Sequence, residues 1–222
     1  MMRVGVLFSG GKDSCLALHK AKFEGHEIAC LLSVYPENSD SFMFHKPDLG
    51  LLKRQAEELG AKLIVLKIKG EKDKEVDELR NLIEQNKKEI AGLVIGGIAS
   101  NYQYTRIKKI CDSLGLKLIA PLLGYSPEKV WKELFADGFK VSLTKIACEG
   151  IGREWLGRVI DKTEFGKLKG LSEKHKFRLD FEGGEAESAV LFMPEFKRDI
   201  RIEFDVESEG EYRHFLRIKK VF

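Results

Sequence analysis

The chain has 222 residues and a mass of 25.2 kDa, with 43% hydrophobic and 33% charged residues and a formal net charge of +3. These proportions exclude disordered and collagen-like classes, and surface scaling lets such a chain bury roughly 70% of what it exposes unfolded. No apolar run approaches the roughly 18 residues of a membrane span, the charge is too near neutral for a dedicated nucleic-acid binder, and the four scattered cysteines read as reduced thiols.

The first apolar run, Val4–Phe8, is too short for a signal peptide, so a cytoplasmic protein is expected. Arg3–Phe8 reads as a buried strand, followed by a helix from about Asp13 to Glu24. Glu27–Val34 is a second strand, and a loop over Tyr35–Pro47 leads to a helix marked by Leu52, Ala56 and Leu59 and closed by Gly60. Lys62–Ile68 is a third strand. Val76, Leu79, Leu82, Ile83 and Ile90 then follow a helical stripe. Gly92–Ile95 is a fourth strand, Ile107, Ile110, Cys111 and Leu114 mark a helix, and Leu116–Ala120 is a fifth strand stopped by Pro121. Strands alternating with helices predict a five-stranded parallel α/β sheet covered on both faces.

The pattern changes after Leu123. Ser126 caps a helix with Pro127 in its first position. Phe139, Val141 and Leu143 alternate with polar residues as a half-exposed strand, helical material runs from Glu154 to Lys176, and Ile200–Val206 with Tyr212–Ile218 makes a hairpin. The expected division is an α/β domain over 1–124 and a smaller α+β domain over 125–222.

Chemistry concentrates in three segments. Ser9-Gly10-Gly11-Lys12-Asp13-Ser14 lies between a strand and a helix. Its glycines permit close backbone approach, the helix N-terminus favours an anion, and Asp13 is placed to organise magnesium or water. It is not a Walker A loop, because Asp13 stands where Ser or Thr should follow Gly-Lys. Gly96-Gly97-Ile98-Ala99-Ser100-Asn101-Tyr102-Gln103 closes the fourth strand, where ligands of such sheets bind. Glu182-Gly183-Gly184-Glu185-Ala186-Glu187-Ser188 sets three carboxylates around a glycine pair, fit to bind magnesium, hold ammonium or act as a base.

The first loop resembles the S-G-G-x-D-S pyrophosphate loop of the N-type ATP pyrophosphatases, the PP-loop superfamily. That resemblance implies an adenine nucleotide α-hydrolase-like fold. It also implies ATP held by Ser9, Gly10, Gly11, Lys12, Asp13 and Ser14, and AMP and pyrophosphate as products. The second segment resembles the G-x-I-x-S-x-Y-Q of one subfamily, the diphthine–ammonia ligases, and adds Gly97, Ser100 and Gln103 to the nucleotide site. The third resembles their E-G-G-E-Y-E-T, with Ala186 in place of Tyr and Ser188 in place of Thr. Asp40–His45 resembles their D-S-x-M-x-[QH] loop and Trp155–Arg158 their W-L-G-R, although His45 alone reads as an ordinary loop histidine.

The resemblance implies amidation of the diphthine carboxylate on elongation factor 2 by free ammonia, through an acyl-adenylate, with ATP and Mg²⁺. Lys12, Asp13, Glu185 and Glu187 are the expected catalytic residues, and Asp13 is the expected metal ligand. Ser41, His45, Tyr102, Glu182, Gly183 and Gly184 are expected at the substrate. No stable nucleic-acid or membrane partner is expected, and a homodimer is left open. The rival readings are a tRNA-modifying member of the superfamily and a non-catalytic ATP-binding module.

Overall fold

The computed structural model describes residues 1–36, 47–68, 75–97 and 101–222, the side chains of 101–103 excepted. Strands β1 (Arg3–Leu7), β2 (Glu27–Pro36), β3 (Leu63–Ile68), β4 (Gly92–Val94) and β5 (Lys117–Ile119) form one parallel sheet in the order β3-β2-β1-β4-β5. The helices between them are α1 (Lys12–Phe23), α2 (Leu49–Leu59), α3 (Glu75–Asn86) and α4 (Asn101–Leu114). Strand alternation sorts the side chains onto two faces. Val4, Val6, Leu31 and Val94 pack under α1 and α2. Cys30, Leu32, Leu93 and Ile95 pack with Leu79 and Ile83 of α3 and Ile107 and Ile110 of α4. The chain leaves β1 in one direction and returns beside it as β4, so a crevice opens between their C-terminal ends.

Two boundaries differ from the sequence reading. Helix α3 ends at Asn86, whose side chain donates to the Leu82 carbonyl at 2.8 Å, and Ile90 is buried in the turn beyond. The stretch expected to be helical from Glu154 begins as a 3₁₀ turn, Arg153–Trp155, and continues extended, with Gly157 at φ +76°. The helix proper, α6 (Lys162–His175), starts only where the Asp161 carboxylate accepts from Glu164 N–H at 2.8 Å.

The C-terminal half is built on an antiparallel sheet, β7-β6-β9-β8, from β6 (Lys140–Ala147), β7 (Ala186–Phe192), β8 (Ile202–Ser208) and β9 (Arg213–Val221). Helix α5 (Pro127–Ala136) precedes it, capped by Ser126 accepting from Lys129 N–H at 3.2 Å. Strand β6 is not half-exposed. It lies between β7 and β9, and Ser142 is fully buried between Ala189 and the passing Val159 backbone.

One apolar core runs from the α1–α2 face of the first sheet through Trp131, Leu143, Val190 and Met193 of the second. Polar contacts reinforce the seam. Glu58 of α2, buried, pairs with Arg54 at 2.7 Å and Arg198 at 3.0 Å. His19 of α1 meets Glu195 at 2.8 Å and Asp137 at 3.5 Å. Cys15, Cys30, Cys111 and Cys148 are all free, as expected. Burial pushes the Cys148 thiol up to about 11, which suits an inert group. Among the described residues no helix is long and apolar enough to cross a membrane.

Candidate active site

The loop after β1 enters α1 with Gly11 as N-cap and with no side-chain cap of its own. The free first-turn amide is met from the other half of the chain: Lys12 N–H donates to the Ser188 hydroxyl at 3.2 Å. Ser188 replaces a threonine of the resembled motif, and the hydroxyl that makes this contact is common to both. Inside the loop, Ser14 Oγ donates to the Gly11 carbonyl at 3.1 Å and lies 3.1 Å from Ser9 Oγ. These bonds fix the turn and leave main-chain N–H groups at the positive end of a helix, a setting for phosphate.

Two glycines are dictated by space. Gly10 has φ +74°, and a Cβ there would lie 2.1 Å from Gln55 Oε1. Gln55, almost fully buried on α2, donates to the Gly10 carbonyl at 2.9 Å and to the Val190 carbonyl at 2.8 Å, while Val190 N–H donates to Gly10 O at 3.0 Å. The loop is thereby tied to β7. Gly96 ends β4 against the start of α1, where a Cβ would meet Asp13 and Ser14 backbone atoms at 2.6–2.7 Å. Only glycine lets β4 close on the loop at the switch point.

A cleft of about 860 Å³ opens above this point. Ser9 through Ser14 and Gly97 line it from the first half, with Gln55 and Tyr104. Lys145, Asp180, Glu182, Glu187 and Phe215 line it from the second. The three expected carboxylates separate. Glu182 and Glu187 border the cleft, and Glu187 pairs with Lys145 at 2.8 Å. Gly183, Gly184 and Glu185 do not border it, and Glu185 instead accepts from Arg178 N–H at 3.3 Å. The reason is where the strand starts: Glu187 is held within β7, whereas Glu185 sits in the turn before its first residue, Ala186. Ser41, His45 and Ser100 lie outside the described residues. Tyr102 and Gln103 fall in the first turn of α4, and their side chains lie outside them as well.

Lys12 lines the cleft with its side chain engaged by protein groups. Its ammonium is buried and donates to Asp13 Oδ2 at 2.8 Å and to the Asp180 carbonyl at 2.6 Å, with the Phe181 ring centroid 5.4 Å away. A direct phosphate contact would require exchanging these partners. Burial pushes the Asp13 carboxyl above its ordinary range, with the Lys12 charge opposing. Asp13 Oδ1 is buried with no hydrogen-bond partner. A lone anionic oxygen beside a phosphate cradle fits magnesium, which takes one or two carboxylates and completes its shell from phosphate and water. Among the described residues no cluster of three or more acidic, His or Cys side chains offers an all-protein metal site.

Sequence reasoning missed Gln55, Lys145, Asp180 and Phe181. Gln55 alone carried a signal, as an uncharged polar residue on the apolar stripe of Leu52, Ala56 and Leu59.

Comparison with known proteins agrees over both halves. The diphthamide synthase N-terminal domain model matches residues 2–118, and the C-terminal domain model matches residues 126–222. A diphthine–ammonia ligase of Schizosaccharomyces pombe is 34% identical over 218 residues, covering 90% of this chain and 36% of the relative. Diphthine–ammonia ligases of Rattus norvegicus and Homo sapiens are 30% and 31% identical, each alignment covering 91% of this chain and 83% of the relative. A solved structure, a predicted subunit of tRNA methyltransferase from Methanocaldococcus jannaschii, aligns over 87% of this chain and 98% of its own at 18% identity. Its TM-score of 0.46 is too low to say anything of this chain's chemistry. The phosphate loop falls within the first family match and the acidic loop within the second, and the cleft is made where the two meet; the chain belongs to the diphthamide synthase family.

Proposed function

We propose that the protein is an ATP-dependent diphthine–ammonia ligase acting on elongation factor 2, with the halves 1–124 and 125–222 serving nucleotide and acceptor. The observation that carries this reading is the meeting of the phosphate loop and the acidic loop in one cleft, joined through Ser188 and the Asp180 carbonyl.

A carboxylate resists ammonia because its oxygen is a poor leaving group. Attack by an acceptor carboxylate oxygen on the α-phosphorus of ATP breaks the bond to pyrophosphate and leaves an acyl-adenylate. Ammonia then attacks the acyl carbon, AMP departs, and the amide nitrogen loses a proton. The amides at the start of α1, with Ser9 and Ser14, hold the departing phosphates, and Gly97, Ser100 and Gln103 complete the nucleotide site. Asp13 would hold a magnesium ion, which when bound would neutralise charge on the phosphates. By the family resemblance, Ser41, His45, Tyr102 and Glu182 are assigned to acceptor binding. Glu187, held by Lys145, takes the proton from the attacking nitrogen.

The partners are the diphthine-bearing factor and ammonium, the location is the cytoplasm, and a stable tRNA complex is not expected at a net charge of +3. Incubation with ATP, magnesium, ammonium and acceptor should release AMP and pyrophosphate in step with amide. Release of ADP and phosphate would refute the proposal.

A further inference from the structure

A lysine at the first turn of a helix stands at the positive end of the dipole, where a cation is disfavoured. Lys12 occupies that position with only 2% of its surface exposed, so its ammonium needs partners that replace water. Asp13 supplies one. The others, the Asp180 carbonyl and the Phe181 ring, come from a segment far away in sequence.

That segment is built to hold a demanding shape. Phe181 has φ +63°, a conformation that a bulky L side chain rarely adopts. Its neighbours fix it there. The Arg178 guanidinium forks onto the Asp180 carboxylate, with Nε at 2.9 Å from Oδ1. Glu182 N–H donates to the same oxygen at 3.1 Å. Trp131 Nε1 donates to the Leu179 carbonyl at 3.0 Å, and the Phe181 ring stands edge-on to Trp131 at 6.4 Å. The strained turn aims the Asp180 carbonyl at Lys12, and that bond is among the shortest around the site.

We propose that Asp180 and Phe181, anchored by Arg178, are positioning residues that clamp the Lys12 ammonium onto Asp13, leaving Asp13 Oδ1 for the cation that accompanies the nucleotide. Lys12 is then the counter-ion of Asp13 rather than a phosphate ligand. The acidic loop, which begins at the next residue, Glu182, is coupled to the phosphate loop through this clamp. The inference rests on the nucleotide-site reading above.

The test uses the full chain and two variants at Arg178, a half-exposed residue that does not border the cleft. Lysine acetylation by a water-soluble succinimidyl ester, read peptide by peptide in a mass spectrometer, reports access to Lys12 without nucleotide. Calorimetry with Mg·ATP reports affinity. In the wild type Lys12 should be protected relative to surface lysines. Arg178→Gln should label Lys12 at least about tenfold faster and weaken Mg·ATP binding about tenfold, the scale of a lost charge-assisted bond. Arg178→Lys keeps the charge and loses the fork, so it should behave like Arg178→Gln at both low and high salt. Unchanged protection in both variants would overturn the clamp. Normal behaviour of Arg178→Lys would overturn it too, reducing Arg178 to a long-range charge. Failure of the wild type to bind Mg·ATP would instead sink the nucleotide reading, with the labelling still deciding the clamp.

Discussion

Gly10→Ala tests whether the phosphate loop is held by Gln55. The substitution places a methyl 2.1 Å from Gln55 Oε1 and 3.0 Å from Cδ. An amide at the end of a flexible chain would ordinarily step aside at little expense. Here it is almost fully buried and donates to two main-chain carbonyls, so moving it leaves Val190 O without that donor. Loss of such bonds costs about 1–3 kcal/mol, and holding alanine at φ +74° adds about 1–2 kcal/mol. The total, about 2–5 kcal/mol, is a large part of a typical domain's stability. Gln55→Ala removes the same bonds and should cost about 1–3 kcal/mol by itself. In the double variant the clash is gone and the bonds are lost only once. The double should therefore be less damaging than the sum of the singles by at least about 1 kcal/mol. Urea unfolding of the four proteins measures this, with m-values compared to confirm a common unfolded state. Additivity within about 0.5 kcal/mol would refute the argument that Gln55 fills the space a Cβ would need.

Other outcomes follow from single contacts. Ser188→Ala should lower stability by about 1 kcal/mol, as for a lost helix cap, and weaken ATP binding, whereas Ser188→Thr should preserve both; thermal unfolding and nucleotide titration check this. Glu187→Gln should keep ATP affinity and lose amide formation, while Glu185→Gln, whose carboxylate lies off the cleft, should keep both; equal loss in the two variants would contradict the separation of these carboxylates. The hydrogen bond that His19 donates to the Glu195 carboxylate raises His19 above its ordinary 6.5, against the opposing effect of burial. A raised folded-state value means the His19 contribution is fully present below pH 6.5 and is lost as the pH rises through that value. His19→Gln should accordingly flatten the stability profile on the alkaline side, and an identical fall in wild type and variant would contradict it.

The parallel sheet was legible because each strand is a short apolar run punctuated by glycine or proline, and each helix carries its stripe on one side. The phosphate loop was legible because its glycines, hydroxyls and helix start are contiguous. The closure of the site was not. Asp180 and Phe181 meet Lys12 across more than 160 positions, and nothing in a phenylalanine codes for φ +63°. The direction of the Lys12 side chain was equally hidden, since a lysine beside two glycines suits phosphate contact and ion pairing alike. Glu185 and Glu187 look equivalent in sequence, and only the start of β7 at Ala186 separates them, one in the preceding turn and one in the strand. Ser142 reads as a solvent-facing polar residue until β7 and β9 enclose its strand.

The central claim is that one cleft, shared by the two halves of the chain, both splits ATP and delivers nitrogen to a carboxylate. It is tested most directly by supplying isotopically labelled ammonium, ATP and magnesium with diphthine-bearing elongation factor 2, then mapping the modified peptide by mass spectrometry. The account predicts exchange of one hydroxyl for one labelled amino group on the modified histidine, with AMP and pyrophosphate formed in equal amount. An unchanged factor, in the presence of labelled tRNA, would contradict it.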